Sequence, residues 1–192
     1  MFNFLISAGA IVGIVVAAIV IIFIIWIVRL NNKLRTLNEK VNESESGIDV
    51  ALEKRFDQLT KLLAVTKGYA KHESETLENT IKWRGGNISQ ATTSEKAELS
   101  GQLDAVARGI NVVVEKYPEL KADTMFNNLM SSINDVEEHL QAARRLYNSN
   151  VNLLNKQIII FPNNIIASML HIEKRDYFEA DEKKKEDPKM EF

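Results

Sequence analysis

The sequence predicts an all-α protein, an N-terminal transmembrane helix continuing into an antiparallel bundle of three to four long helices. Three observations carry that prediction. From Phe4 to Val28 the chain runs 25 residues without a charge. Beyond it, apolar residues recur at spacings of three and four, the period of one helix face. Only three prolines occur in 192 residues, with no repeated turn chemistry and no alternating stretch of strand character. QIIIF (157–161) has β propensity, but it extends the helical register that precedes it.

The uncharged run comes first. A bilayer core of about 30 Å needs roughly 20 apolar residues in a helix, and this run is long enough. Trp26 belongs at the interface, and Arg29 follows directly. A cleaved signal peptide fits poorly, because no Lys or Arg precedes the run and no small-x-small site follows it. Arg29, Lys33, Arg35 and Lys40 cluster on one side only, so the positive-inside rule places the soluble part in the cytoplasm and a short tail (1–3) outside. Within the span, Gly9, Gly13 and Ala17 form a small-xxx-small face suited to self-association in lipid, although Gly and Ala are common in membrane helices anyway.

The soluble part divides into a helical-bundle domain, 29–178, with a membrane-proximal stalk, 29–55, and a charged tail, 179–192. Leu30, Leu34, Leu37, Val41, Ile48, Leu52, Phe56, Leu59, Leu63, Thr66, Ala70, Leu77 and Ile81 lie on one seam of a single predicted helix. Gly85-Gly86 stops it. Thr92-Thr93-Ser94-Glu95 has capping-box spacing and opens a second helix with Leu99, Leu103, Val106, Ile110, Val114 and Tyr117, ended by Pro118. A third opens near Asp123-Thr124 and carries a stripe from Phe126 to Phe161. After Pro162 a short fourth helix begins at Asn163 or Asn164 and is expected to bury Ile165, Ile166, Met169 and Leu170.

Arg29 to Arg84 as one helix would extend about 80 Å, while the returning helix over 95–117 covers roughly 35 Å. The stalk seam of Leu30, Leu34, Leu37, Val41 and Ile48 therefore lacks an evident partner in its own chain, and the expectation is a homo-oligomer formed through it.

The chemistry-bearing residues are sparse. There are 24 basic and 26 acidic residues, so net charge argues for no nucleic-acid partner. Cysteine is absent, which removes thiolate catalysis, Cys-based zinc sites and disulfides. KGYAKHE (67–73) is the most reactive-looking stretch. An enzyme would have to use Tyr69, Lys71, His72 and Glu73, yet successive helical residues diverge by about 100° and cannot all converge. On a continuous helix Tyr69 joins the packed face, and Lys71 pairs with Glu75. His72-Glu73 lacks the second His of HExxH, since that position is Thr76. His139 follows Val136, not Glu, by three residues, so a bundle carboxylate–histidine metal site is not spelled out. Arg144-Arg145, near Tyr147-Asn148, has the chemistry to bind a phosphate or a carboxylate, but the stronger expectation is a bond to an acidic residue on a neighbouring helix, such as Asp57 or Glu53. The Lys183–Lys185 run is embedded in acids and is a weak lipid or nucleic-acid signal. No phosphate loop or nucleophile elbow occurs, so no catalytic residue, cofactor, metal or small-molecule substrate is expected.

Six ordered blocks carry a family resemblance: IDVALEKRFDQLTKL, VTKGYAKHESETLE, EKYPELKAD, AARRLYNSNVNLLNK, FPNNIIA and RDYFEADE. Together they resemble the LemA family over nearly the whole soluble part. The resemblance implies a bacterial cell-membrane protein with a single span, its N-terminus outside, and an antiparallel helical bundle of undefined molecular function. It marks Tyr69, Arg144, Tyr147, Asn148, Phe161, Pro162 and Asn164 as structural motif residues. Some family members are encoded near membrane metalloproteases, which points to such a protease, or another membrane protein, as partner and to membrane protein quality control. Two departures stand out. Thr60-Lys61-Leu62 replaces a segment where the family often has proline, implying a straighter first helix, and Leu154 replaces the usual aromatic before Asn155.

The leading functional expectation is thus a non-enzymatic, membrane-anchored, self-associating scaffold or adaptor. The alternative is a membrane-stress or membrane-remodelling coat, which needs lipid contact beyond the span, and no basic amphipathic surface helix is evident. The enzyme reading comes last.

Overall fold

The computed structural model describes residues 8–80 and 88–179. All regular structure among them is helical: α1 (Ala8–Thr66), α2 (Lys71–Thr80), α3 (Thr93–Lys116), α4 (Thr124–Ile159) and α5 (Asn163–Met169). Short 3-10 turns at Ile88–Gln90 and Pro118–Ala122 precede α3 and α4. The Gly85-Gly86 stop and nearly all of the charged tail lie outside the described residues, as do Ile81 and the first residues of the uncharged run.

α1 runs unbroken through Thr60-Lys61-Leu62 but ends at Thr66, earlier than the seam predicts. The break is local. Gly68 and Tyr69 donate their N–H groups to Val65 and Thr66 in tight turns, and the Thr66 hydroxyl bonds back to the Leu63 carbonyl. Gly68 lowers helix propensity at this point, and Thr66 competes for the backbone. Ala70 remains buried across the break, so the seam continues although the helix does not.

The caps of α3 and α4 follow the sequence. Thr92 and Glu95 form the reciprocal capping box on α3. Asp123 accepts the N–H groups of Met125 and Phe126 at 2.8 and 3.0 Å, satisfying two of the free donors at the start of α4. Those backbone bonds, Phe126 first, hold the Asp123 carboxyl below the usual carboxylate range. α5 ends in a Schellman arrangement, with Ile172 N–H on the Ala167 carbonyl and His171 N–H on Ser168, and His171 takes the left-handed position at φ 52°.

The chain forms two compact units. The first joins residues up to Lys40 with Leu153–Arg175. Here the apolar run of α1 is exposed along its described length, whereas Leu34, Leu154 and Ala167 are buried. Asn155 holds the extended segment after α5 by accepting the Arg175 N–H at 3.0 Å and donating to the Arg175 carbonyl at 2.9 Å. This unit carries seven Lys or Arg residues against two acids, Glu39 and Glu173.

The second unit joins Val41–Asn152 with the segment from Asp176. Its core is a layered set of fully buried residues, Val41, Leu52, Leu59, Leu62, Leu103, Val106, Ile110, Leu140 and Val151 among them. Each large aliphatic side chain removed from water in this way contributes about 1.5–3 kcal/mol. Two cross-links show α1 and α4 antiparallel, Ser44 to Asn150 and Arg55 to Glu137. α2 packs on α3, where Gly109 leaves a notch for the Leu77 side chain that a Cβ would fill.

The stalk seam needs correction. Leu34, Val41 and Ile48 are at most 1 % exposed within a single chain, and Leu30 and Leu37 are half-buried. The seam is covered by the chain itself because α4 has 36 residues and a return of about 54 Å, not the roughly 35 Å of α3. The fourth-helix burial differs at two of its four expected positions, while Ile166 and Leu170 are half-buried. α5 buries Asn163 and Ala167 and leaves Ile165 and Met169 exposed.

Candidate functional site

Arg55 lies seven residues after Ile48 and seven before Leu62, in the heptad line that begins at Val41. That register carries it into the core, where it is 4 % exposed. Its guanidinium bridges two helices, with Nη1 2.8 Å from Asp104 of α3 and Nη2 3.0 Å from Glu137 of α4. Phe56, the apolar residue that the seam spacing selects beside it, is only half-buried.

A second buried cation opens the α3 stripe. Lys96 is 1 % exposed and sits three residues before Leu99. Its ammonium lies 2.9 Å from Glu45 and 2.6 Å from Asp49 on α1. Burial works against the Lys96 charge, but bonds to Asp49 and Glu45 outweigh it and raise its pKa. Burial pushes the Asp49 carboxyl up despite the neighbouring ammonium. The two clusters pair each cation with two carboxylates, so a charged core is tolerated.

Arg144 and Arg145 do not reach Asp57 or Glu53 in the expected way. Arg144 hydrogen-bonds the Ser100 hydroxyl and stacks its guanidinium 4.9 Å from the Phe178 ring centroid. Burial lowers its pKa, with Glu137 and Asp104 acting in the other direction. One turn on, the Tyr147 hydroxyl donates to the Asp176 carbonyl at 2.9 Å. Asn148 accepts the Phe178 N–H at 2.8 Å and donates to the Phe178 carbonyl at 3.0 Å. The motif residues Arg144, Tyr147 and Asn148 thus hold the extended segment 176–178 against α4.

Between α3 and α4 this arrangement leaves a cleft of about 220 Å³, lined by Ser100, Asp104, Gln141, Arg144, Asn148 and Phe178 among others. Ligand pockets ordinarily run from about 300 to 1,000 Å³. The lining brings no nucleophile beside a base; Asp104 is paired with Arg55, and Arg144 stacks on Phe178. Among the described residues no group of three or more His, Asp or Glu side chains is placed to hold a metal.

KGYAKHE is not one site. Tyr69 is exposed rather than packed, and its hydroxyl donates to Asp123 at 3.2 Å, a bond that raises the Tyr69 pKa. Glu73 instead accepts from the Tyr117 hydroxyl at 3.3 Å, with the Lys116 ammonium 4.0 Å away. Lys67 bridges the helix break to Glu78 at 2.8 Å. His72 and Lys71 are exposed. The segment staples α2 to the α3–α4 connection.

In FPNN, Phe161 is 75 % exposed and Asn164 is also exposed, whereas Asn163 is the buried member and donates to Gln157 at 2.7 Å. The Phe161–Pro162 peptide is cis. Gly9, Gly13 and Ala17 lie on the exposed run, with open space around both glycines.

The family model described as LemA family matches residues 44–192. A protein of Metamycoplasma hominis named Protein LemA is 31 % identical over 164 residues, covering 84 % of this chain and 74 % of the relative. Two proteins of Paramagnetospirillum magneticum, named Magnetosome protein MamQ 1 and MamQ 2, are each 21 % identical over 186 residues, covering 83 % of this chain and 68 % of theirs.

Proposed function

This chain belongs to the LemA family, and on that premise we propose that it is a membrane-anchored, non-enzymatic helical scaffold that presents its bundle to another membrane protein. The observation that carries the reading is α1. One helix begins in an apolar run long and exposed enough to cross a membrane and ends inside a bundle core. Such an element fixes a folded domain to a bilayer. The basic residues Arg29, Lys33, Arg35 and Lys40, all on one side of the run, support a reading with the bundle in the cytoplasm of a bacterial cell, one span and the N-terminus outside.

Self-association belongs to the Gly9, Gly13 and Ala17 face, since the chain itself covers the stalk seam at Leu34, Val41 and Ile48. The buried charges support a structural role for the interior, because a core that cross-links three helices through Arg55 and Lys96 fixes their register. A membrane protease is the partner class that the family association favours.

The test is co-isolation from membranes at native expression. Full-length protein in mild detergent is expected to retain a membrane partner, and a chain lacking 4–28 is expected to lose it. Undiminished recovery by the shortened chain overturns the anchoring role. Gly13→Leu is expected to shift crosslinked dimer to monomer, and an unchanged crosslinking pattern removes the small-residue face from the proposal.

A further inference from the structure

The end of α4 and one face of α5 present an apolar surface that the chain does not cover. Ile159, Ile160, Phe161, Ile165 and Met169 are all exposed, and Phe161 and Met169 each stand 75 % open. Five large apolar side chains in eleven residues form a patch of the kind that meets protein or lipid. The helix breaks there by its own chemistry, at Pro162, so the patch is the tip of a hairpin.

Its position relative to α1 is fixed within the first unit. Asn38 of α1 and Leu170–Arg175 line one cavity of about 350 Å³, and Arg175 is bonded to Asn155 on α4. From Asn155 to Ile159 is about 6 Å of helix, and so is Asn38 back to Leu34, which is buried in the same unit. The tip therefore lies level with Leu34, about 9 Å along α1 from Val28, where the uncharged run ends. The polar layer on each side of a bilayer core is about 5–7 Å deep, so side chains at the tip reach it. Arg29, Lys33, Lys156 and Lys174 are exposed in the same unit, whose basic residues outnumber its acids, a balance that suits anionic headgroups.

We infer that the α4–α5 tip is a second membrane contact, with Phe161, Ile165 and Met169 reaching into the headgroup layer of the bilayer that α1 crosses. The inference rests on the anchoring reading above. An apolar tip in a unit rich in exposed Lys and Arg has the composition of an interfacial anchor. It would fix the tilt and rotation of α1 as a single helix cannot.

Because the chain has no cysteine, single-cysteine probes answer the question directly. Full-length Phe161→Cys, Ile165→Cys, Ile24→Cys and Val112→Cys are each labelled with an environment-sensitive fluorophore and placed in lipid nanodiscs of mixed neutral and anionic lipid. Brominated lipids then quench by depth. Positions 161 and 165 are expected to lose at least twice the fluorescence lost at 112, most strongly with bromines high on the acyl chain, while 24 responds to deep bromines. Quenching at 24 with 161 and 165 indistinguishable from 112 overturns the tip contact and leaves the span standing. No quenching at 24 removes both. A blue-shifted but unquenched label at 161 and 165 assigns the tip to protein, a second copy included, and overturns the lipid contact.

Discussion

The two units spend their charges and their apolar residues in opposite ways. The unit containing the apolar run has an excess of basic residues and leaves its largest hydrophobic side chains at the α4–α5 turn uncovered. The other is richer in acids than bases, covers its seam, and takes two cations into its core between pairs of carboxylates. One is built to be finished by its surroundings, the other is finished by itself. Substitutions should therefore be costly to the fold in the second and costly to membrane engagement in the first.

The largest expected effect is at Arg55. Arg55→Met leaves Asp104 and Glu137 without their shared cation, and loss of one partner from a buried pair costs about 3–5 kcal/mol. Denaturant unfolding of the full chain in mild detergent measures it. Replacing all three residues with apolar ones should recover most of the loss, and a single Arg55→Met with unchanged stability would break the contrast between the units.

Asn148→Ala comes next. It removes both bonds to the Phe178 main chain and is expected to cost about 1–3 kcal/mol, with faster amide exchange at Phe178. Thr92→Ala, which removes the cap of α3, should cost about 1 kcal/mol by the same unfolding measurement.

The smallest effect on folding is expected where the membrane contact is proposed. Met169→Ser should change stability in detergent by no more than about 0.5 kcal/mol, because the side chain is already exposed. A large loss there would mean the tip is part of a core.

Acid sharpens the comparison differently. The folded-state pKa of Asp123 is depressed by backbone bonds, first from Phe126, so its stabilising contribution is full above the unfolded carboxylate value and is lost as pH falls through the folded one. Asp49 is shifted upward by burial, so its protonation relieves a cost at higher pH, as pH falls from the raised folded value to the unfolded carboxylate value. Asp123→Asn should flatten the acid limb of stability, and Asp49→Asn should steepen it, as read from unfolding between neutral and acidic pH.

Much of this fold is legible in the sequence. The capping box at Thr92, the Asp123 start of α4 and the stripe from Phe126 to Leu154 all follow from spacing and side-chain chemistry. The break after Thr66 is less legible, because the apolar period passes through it to Ala70, and only Gly68 and a competing hydroxyl signal the stop. Arg55 and Lys96 escape a reading that searches for apolar residues, although the period of seven through Val41, Ile48 and Leu62 points at Arg55. The coverage of Leu34 is invisible to helix-length arithmetic that matches α1 only with α3. At the α4–α5 tip the sequence shows apolar residues but not that they stay uncovered, since a short helix with many aliphatic positions can turn either face inward.

Asn148 and Asn155 stand seven residues apart on α4 and read only main-chain atoms, an N–H and a C=O at Phe178 and at Arg175. Recognition of that kind is blind to side-chain identity. These bonds forbid one substitution on chemical grounds, proline at 175 or 178, which has no amide hydrogen to offer, while side-chain identity at 178 is set separately by the stacking of Arg144 on its ring.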